Sequence, residues 1–396
     1  MSHFIFFNFA HYSSVFPEGL HLKRTSAKIN ATRVCVSVCV CVCVCPGGWS
    51  LTRQHDMNRA PNSPKTGNCT TAERIRNHIV AAGHTCVLCD TREFSSASDV
   101  SSLMKQEPRF EAALAIHLFK GGRLLLDAGV PFGVVFGGTD VNEDVKDEHK
   151  RAVMEEVLHK ARFAVAFTDK LKERAEELLV CESKKIYVQP QGIETRVASH
   201  FSWSDFLHST GVRTKQEENL RVFLLVCGLR RVKDPLYLLE VFAEWHNQNP
   251  LVALIIIGPK IDPVFTAEVE ESVKRSVGVY LAADLSQEEL HAAMQKSFAL
   301  VNSSLSEGMS AAILEAMDLG LPVLARDVPG NAAIVEHEVT GLLYSSPQEF
   351  VSMSRKLLDD HELQERLVRN GKNYITTCHN PMKERISYQK LVETLH

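Results

Sequence analysis

Several things are scarce or missing in this 396-residue chain, and each absence excludes something. Positive charge is not in excess: 44 Lys and Arg stand against 48 Asp and Glu, for a net charge of −4. A nucleic-acid binder would carry a basic footprint, so nucleic acid is not an expected partner. No apolar run reaches the ~18 residues that a membrane-spanning helix needs, so no transmembrane segment is expected. No GxGxxG follows any predicted strand, which argues against a nicotinamide-dependent dehydrogenase. MSHFIFFNFAHYSSVF has no basic stretch before its aromatic run and no small-residue cleavage site after it, and reads as a poor signal peptide. Cys86 and Cys89 form a lone CxxC without a second pair, a pattern that suits core packing better than zinc or redox chemistry.

What is present begins oddly. Five of the 11 cysteines (Cys35, Cys39, Cys41, Cys43 and Cys45) fall in VCVSVCVCVCVC, residues 34–45. Alternation of period 2 normally separates a polar face from an apolar one, but here both faces are apolar. A TG dinucleotide repeat read in triplets encodes Val and Cys in turn, so our hypothesis is that this stretch is translated simple repeat. A transcript carrying it in frame, together with abundant matching protein, would refute that. The rival is a metal site built from the cysteines. Residues 1–64 are expected to be a disordered or aberrant extension, because they turn Pro- and Asn-rich and carry no convincing fold signal. The scattered remaining cysteines fit a reducing compartment.

From about residue 65 short apolar runs alternate with helical patterns. TCVLC (85–89), EAALAIHLF (111–119), PFGVVFGG (131–138), FAVAFT (163–168) and KIYVQ (185–189) read as strands, with helices over 146–161 and 170–180. Thr70 with Glu73 suggests a capping box, and Gly83 a helix stop. Residues 195–219 form a polar connector. Alternation then restarts through VFLLVCG (222–228), LVALIIIG (251–258), VYLA (279–282), FALVNS (298–303) and LPVLAR (321–326), with helices over 235–247, 264–276 and 286–296. Strands alternating with helices predict an α/β fold of two doubly wound, Rossmann-like domains, with ligands at the carboxyl ends of strands. The expected limits are 65–200 for the first domain and 201–380 for the second.

The segment SLSEGMSAAILEAM (304–317) carries the chemistry. It reads strand, loop, helix, and its Gly and Ser residues would present backbone N–H groups at a helix N-terminus, which favours an anion. Glu307 is expected in the loop and Glu315 one to two turns into the helix. The neighbours of Glu315 from 311 to 317 are apolar, so its carboxylate is expected to be substantially buried. A buried carboxylate needs hydrogen-bond donors; a ribose would supply them, and the bland alternative is a backbone or Lys partner. Paired carboxylates could also serve a glycoside hydrolase.

Residues 305–343 resemble the nucleotide-sugar signature of the family 4 glycosyltransferases: a Glu, seven residues, a second Glu within EAM, then GLPV, a further Gly and TGLL. The resemblance covers roughly 65–390 and is strongest from 220 to 345. It implies a GT-B architecture, two Rossmann-like domains facing a cleft, with a C-terminal helix (381–396) returning to the first domain. It further implies that Glu315 binds the donor ribose, while Glu307 with Gly308, Met309 and Ser310 contacts the donor sugar. In CGLRRVKDPLYLLEVF (227–242), Gly228, Arg230 and Lys233 fit the family's diphosphate-neutralising motif, although the family spaces its Arg and Lys wider. A solvated helix start is the alternative for RRVK. The implied reaction is transfer from a nucleotide-diphosphate sugar to an unknown acceptor with retention of configuration. No cofactor or metal is expected, and no DxD-like motif is evident.

The amino-terminal half departs from the family twice. Many relatives carry HGTD where this chain has FGGTD, so Gly137 stands in place of a histidine that approaches the donor sugar, while Asp140 remains. His117 in ALAIHLFKGG is the surviving candidate, with a structural role as the alternative. The family's glycine loop is matched by Lys65-Thr66-Gly67-Asn68, but no conventional first strand precedes it, since LTRQHDMNRAPNSP is polar and twice broken by proline. The first domain is therefore expected to fold poorly unless the Val-Cys segment loops back. A catalytically inactive nucleotide-sugar-binding protein is the alternative function. Sequons at Asn68 and Asn302 lie in predicted ligand-facing loops, where a glycan would block the cleft, so a cytoplasmic location is expected over a secreted one.

Overall fold

Apolar strands that are hydrophobic on both faces must be covered on both faces, and this chain does so twice. The computed structural model describes residues 3–7, 40–44, 67–107 and 109–395. The rest of the 1–64 extension, Lys65 and Thr66 lie outside the described residues.

The first sheet contains β1 (His3–Phe7), β2 (Val40–Val44), β3 (Thr85–Cys89), β4 (Phe110–Ile116), β5 (Phe132–Val135), β6 (Phe163–Ala166) and β7 (Ile186–Val188). From β4 to β7 neighbours pair in parallel, in chain order. The second sheet holds β8 (Arg221–Val226), β9 (Val252–Ile257), β10 (Val279–Leu281), β11 (Ala299–Asn302), β12 (Val323–Arg326) and β13 (Leu342–Tyr344), all parallel, in the order β10-β9-β8-β11-β12-β13. The order in which strands are added reverses between β8 and β11, so the crevice beyond their carboxyl ends is where a doubly wound sheet binds ligand. Phe223 on β8, with Phe242, Trp245, Phe298 and Phe350 around it, fills one face of this sheet. Each such ring, fully buried, stabilises by roughly 1.5–3 kcal/mol.

The loop-back of the Val-Cys segment, expected as the substitute for a conventional first strand, is present as β2, and a segment not anticipated, β1, pairs with the same strands. β1 runs parallel between β3 (Phe4↔Cys86, Ile5↔Val87) and β4 (Phe4↔Ala112, Ile5↔Ala113). After His3, HFIFF alternates nothing and is apolar, as a strand covered on both faces should be. β2, from the Val-Cys stretch, registers antiparallel against the same edge of β4 (Cys43↔Ala112, Val42↔Ala113) but meets β3 at Val40↔Cys89 alone. One edge accepts one strand, so the two pairings are alternatives for a single slot.

Other local expectations shift. Gly67 and Asn68 open the helix Gly67–Val80 instead of forming a loop, so Thr70 lies inside that helix and is not its cap. The polar connector contains a helix, Trp203–Thr210, capped by Ser202 and ended by Gly211 at φ 92°. TGLL contributes β13, and the helices Ala97–Met104, Pro347–Asp359 and His361–Cys378 complete the layers.

The final helix, Pro381–Glu393, crosses back to the first domain. Tyr388, Leu391 and Val392 pack with Ala72, Ile75 and Ile79 of the Gly67–Val80 helix. Glu384, fully buried, accepts Arg74 Nε at 2.8 Å and lies 2.8 Å from His78 Nε2. Burial alone would raise its pKa, but Arg74 and His78 hold it below the usual carboxylate value. Among the described residues no helix is long and apolar enough to cross a membrane.

Candidate active site

A cavity of about 300 Å³ opens between the two sheets, lined by residues from both. Its carboxyl-terminal wall is built from two loops that leave the adjacent strands β8 and β11. Lys233 follows β8; its Nζ donates to Glu307 Oε1, beyond β11, at 2.6 Å. The same oxygen accepts Ser304 Oγ at 2.7 Å and Asn302 Nδ2 at 3.2 Å. Glu307 is only 9% exposed, and burial would raise its pKa, yet Lys233, Ser304 and Asn302 hold it below the ordinary value.

Backbone and side chains then lock the loops together. Leu305 N–H donates to Val232 O at 2.9 Å, and Ser303 Oγ donates to Lys233 O at 3.0 Å. Tyr344 of β13 donates its hydroxyl to Asn302 O at 2.8 Å, and Asn331 Nδ2 reaches Asn302 Oδ1 at 3.0 Å. Arg326, at the end of β12, pairs with Asp234 at 2.9 Å while covering the Tyr237 ring.

Arg230 lines the same wall and is half-buried. Its Nε is shielded from solvent and has no hydrogen-bond partner. Burial pulls its pKa down, opposed by the Glu307 carboxylate, so the pocket around it would gain from an added anion. The helix Ala311–Leu319 begins beside it, with Ser310 as a cap that makes no side-chain capping bond. Ser310, Ala311 and Ala312 face the cavity, so the positive end of this helix points into it.

Glu315 is largely buried, as expected, and has partners other than those expected. It lines the cavity with 13% of its side chain exposed, and it is already partnered. Gln287 Nε2 donates to its Oε1 at 3.1 Å, and His291 Nε2 lies 3.7 Å from its Oε2. Both partners come from the helix Gln287–Lys296, which was expected over 286–296 but not as a neighbour of Glu315. Glu307 and Glu315 thus engage different partners.

The amino-terminal wall holds His117, Gly137, Gly138, Thr139 and Gln191. His117 follows β4 with φ 68°, a conformation uncommon outside glycine. Its Nδ1 lies 3.1 Å from Thr139 Oγ1 and 3.5 Å from Asp140 Oδ1. Asp140, fully buried, accepts N–H groups of Gly137 at 2.8 Å and Leu118 at 3.0 Å through Oδ2. Burial would raise the Asp140 pKa, but His117 and those two N–H groups hold it low. Thr70 and Thr71, in the helix that Gly67 and Asn68 open, line the cavity. The two walls touch: a Cβ on Gly138 would lie 2.6 Å from Gly308 Cα. Asn142 Nδ2 reaches Ser306 Oγ at 3.3 Å across the same seam. Met309, Gly308, Ser310 and Gly228 all line the cavity. Among the described residues no group of His, Cys, Asp and Glu is arranged to hold a metal ion.

Residues 212–374 match the model of the family "Glycosyl transferases group 1". Over 330 residues, 83% of this chain and 95% of the relative, the sequence is 54% identical to "Glycosyltransferase 1 domain-containing protein 1" of Xenopus tropicalis. The chain belongs to the group 1 glycosyltransferase family. Its fold is that of the GT-B enzymes. Anabaena Alr3699/HepE, solved in complex with UDP-glucose, superposes with a TM-score of 0.62 at 16% identity, covering 74% of this chain and 82% of that one. Sucrose-phosphate synthase from Thermosynechococcus elongatus gives 0.60 at 16% identity, covering 76% and 77%. As in other group 1 glycosyltransferases, two Rossmann-like domains face one cleft.

Proposed function

We propose that this glycosyltransferase takes a nucleotide-diphosphate sugar as donor and transfers the sugar with retention of configuration, without a metal ion. The observation that carries the reading is the unpartnered Arg230 Nε. It shares one cavity at the β8/β11 switch point with Lys233 and the start of the Ala311–Leu319 helix. Three sources of positive potential in a partly desolvated pocket suit a diphosphate, and they would stabilise the charge that develops as it leaves. Glu315, half-buried beside Gln287, would take the ribose hydroxyls, and Glu307 with Gly308 the sugar end.

In this reaction the bond from the anomeric carbon to the diphosphate oxygen breaks, and its electron pair leaves with that oxygen. The acceptor oxygen bonds to the anomeric carbon on the same face, and its proton passes to the departing phosphate. With cations fixed by the fold, no metal is needed to screen that charge. We place the reaction in the cytoplasm. Asn302, the sequon residue inside the site, is 6% exposed and hydrogen-bonded to Glu307, so a glycan there would dismantle the loop.

Thermal-shift titration against nucleoside diphosphates and nucleotide sugars tests the binding step. Stabilisation by at least one diphosphate series is expected, and no response from any would sink the proposal. Turnover surviving EDTA is expected; its abolition, with recovery on adding a divalent ion, would overturn the metal-free mechanism.

A further inference from the structure

The polar connector and the far end of the second sheet enclose a cavity separate from the donor cleft. Its volume is about 510 Å³, and it opens where three strands begin. Arg221 starts β8, Ser297 and Phe298 precede β11, and Leu321 and Pro322 precede β12. The donor cleft lies at the opposite ends of β8 and β11. A six-residue strand such as β8 spans about 20 Å, so a ligand in one cavity leaves the other open.

The floor of this second cavity is apolar and holds an indole. Trp203, the first residue of the connector helix, lies against Phe206 with ring centres 5.5 Å apart and planes inclined by 29°. Phe206 is buried, so the stack fixes the indole and covers one of its faces. Leu220, Leu319 and Pro322 continue the floor. The rim, by contrast, is polar. Ser204 Oγ donates to Glu217 Oε1 at 3.3 Å, and His208 Nε2 lies 3.5 Å from the same oxygen, which leaves Oε2 to the cavity. Arg221 lays its guanidinium over the Phe298 ring, 5.6 Å from its centre. Among the described residues that guanidinium and the side-chain amides of Gln295 and Gln364 have no hydrogen-bond partner in the protein. Two carboxylates, Glu217 and Glu218, balance two cations, Arg221 and Lys296.

Each feature narrows the ligand. Balanced charge gives no net attraction for a polyanion. β8, β11 and β12 are interior strands of their sheet, so an extended peptide finds no edge to pair with there. Unused donors and acceptors around an aromatic floor suit a neutral molecule that carries many hydroxyls and one apolar face. A pyranose is such a molecule: its ring C–H groups meet the negative face of an indole while its hydroxyls reach the rim. We propose that this cavity is a second saccharide site, which holds a neutral oligosaccharide on the back of the donor domain. A saccharide chain anchored there raises its own concentration beside the enzyme without occupying the cleft. None of this depends on which donor the cleft takes.

The full chain, free of nucleotide, is titrated calorimetrically with maltotetraose, cellotetraose, mannotetraose and chitotetraose, and with a sulfated heparin tetrasaccharide as the charged control. Saturable binding of at least one neutral tetrasaccharide is expected, and added UDP should not displace it. Trp203→Ala should weaken that binding about tenfold, as for a central aromatic anchor. Gln364→Ala, on an exposed helix face where alanine is well tolerated, should weaken it about fivefold, as for one lost hydrogen bond, with the melting temperature unchanged. The second variant decides the matter if loss of the Phe206 stack unfolds the first. Four results would each overturn the proposal: no binding of any neutral tetrasaccharide, binding of the sulfated one alone, displacement by UDP, or full affinity in Gln364→Ala together with a folded Trp203→Ala. The nucleotide-sugar reading stands or falls on the diphosphate titration instead, so the two failures are distinct.

Discussion

The two walls of the cavity are made by similar sheets yet held by different means. On the carboxyl-terminal side the loops after β8 and β11 are locked by polar bonds: Lys233, Ser304 and Asn302 converge on one oxygen of Glu307, and Tyr344, Asn331 and Ser303 fasten the backbone behind it. On the amino-terminal side the His117 ring is placed by exclusion, filling the space of an absent side chain at Gly137, with Asp140 steadying it. Polar locking tolerates a change of shape but not of charge. Placement by volume tolerates neither an added methyl nor a shifted strand. The difference teaches where each wall is vulnerable.

The sharpest way to break the comparison is Lys233→Ala, which leaves Glu307 buried without its cation. Turnover should fall about 10²- to 10³-fold, and the melting temperature should drop, since removing one partner of a buried pair costs about 3–5 kcal/mol. Near-normal turnover in a folded variant would show that the carboxyl-terminal wall does not depend on its charge lock.

The seam between the halves comes next. Glu384→Ala should destabilise by about 3 kcal/mol by stranding Arg74 and His78, read as a lower denaturant midpoint. In the fold the pKa values of Glu384 and Glu307 both lie below the ordinary glutamate value of 4.5, held down by their cationic partners Arg74 and Lys233. Their contribution is fully present above that value and is lost as pH falls through the depressed folded value. Acid unfolding of the wild type should therefore lie below pH 4.5, with Glu384→Gln flattening the transition; an unchanged acid profile would contradict this.

The amino-terminal wall is sharpened by asking which segment fills the slot beside β4. β1 pairs in parallel with both neighbours over several residues, whereas β2 meets β3 at one position and its register against β4 shifts between Cys43 and Val44. Ile5→Pro should cost about 3 kcal/mol by removing a ladder donor, while Val42→Pro should leave the melting temperature unaltered. The reverse pattern would give the slot to the Val-Cys stretch.

Smaller effects test the nucleotide end. Arg230→Ala should weaken diphosphate binding about tenfold, the worth of a charged hydrogen bond. Gln287→Ala should cost about twofold, because Glu315 keeps His291 nearby while losing one donor. Equal affinities for wild type and Arg230→Ala would remove the observation on which the proposed donor rests.

Much of the donor wall was legible because its signals are local. Glu307, Gly308, Met309, Ser310 and Glu315 lie within nine consecutive residues, and the strand–loop–helix that carries them is written in period and turn chemistry. The alternation that predicts two doubly wound domains is equally local. What escaped was long-range. Gln287 and His291 beside Glu315 come from another helix, and nothing in their own neighbourhood marks them. HFIFF was passed over because a strand next to an unpatterned stretch cannot be told from a stray apolar run until partners on both sides are seen.

The sequence by itself determined the class of fold, the donor motif and the candidates for the site, because backbone period, helix starts and charge spacing act over a few residues. Only the tertiary structure decided that Lys233 lies on Glu307, that Arg230 keeps an unpartnered nitrogen, and that His117 stands where a side chain at 137 would be. Those are statements about volume and distance between segments far apart in the chain. Close packing allows one arrangement of them, and no local pattern records it.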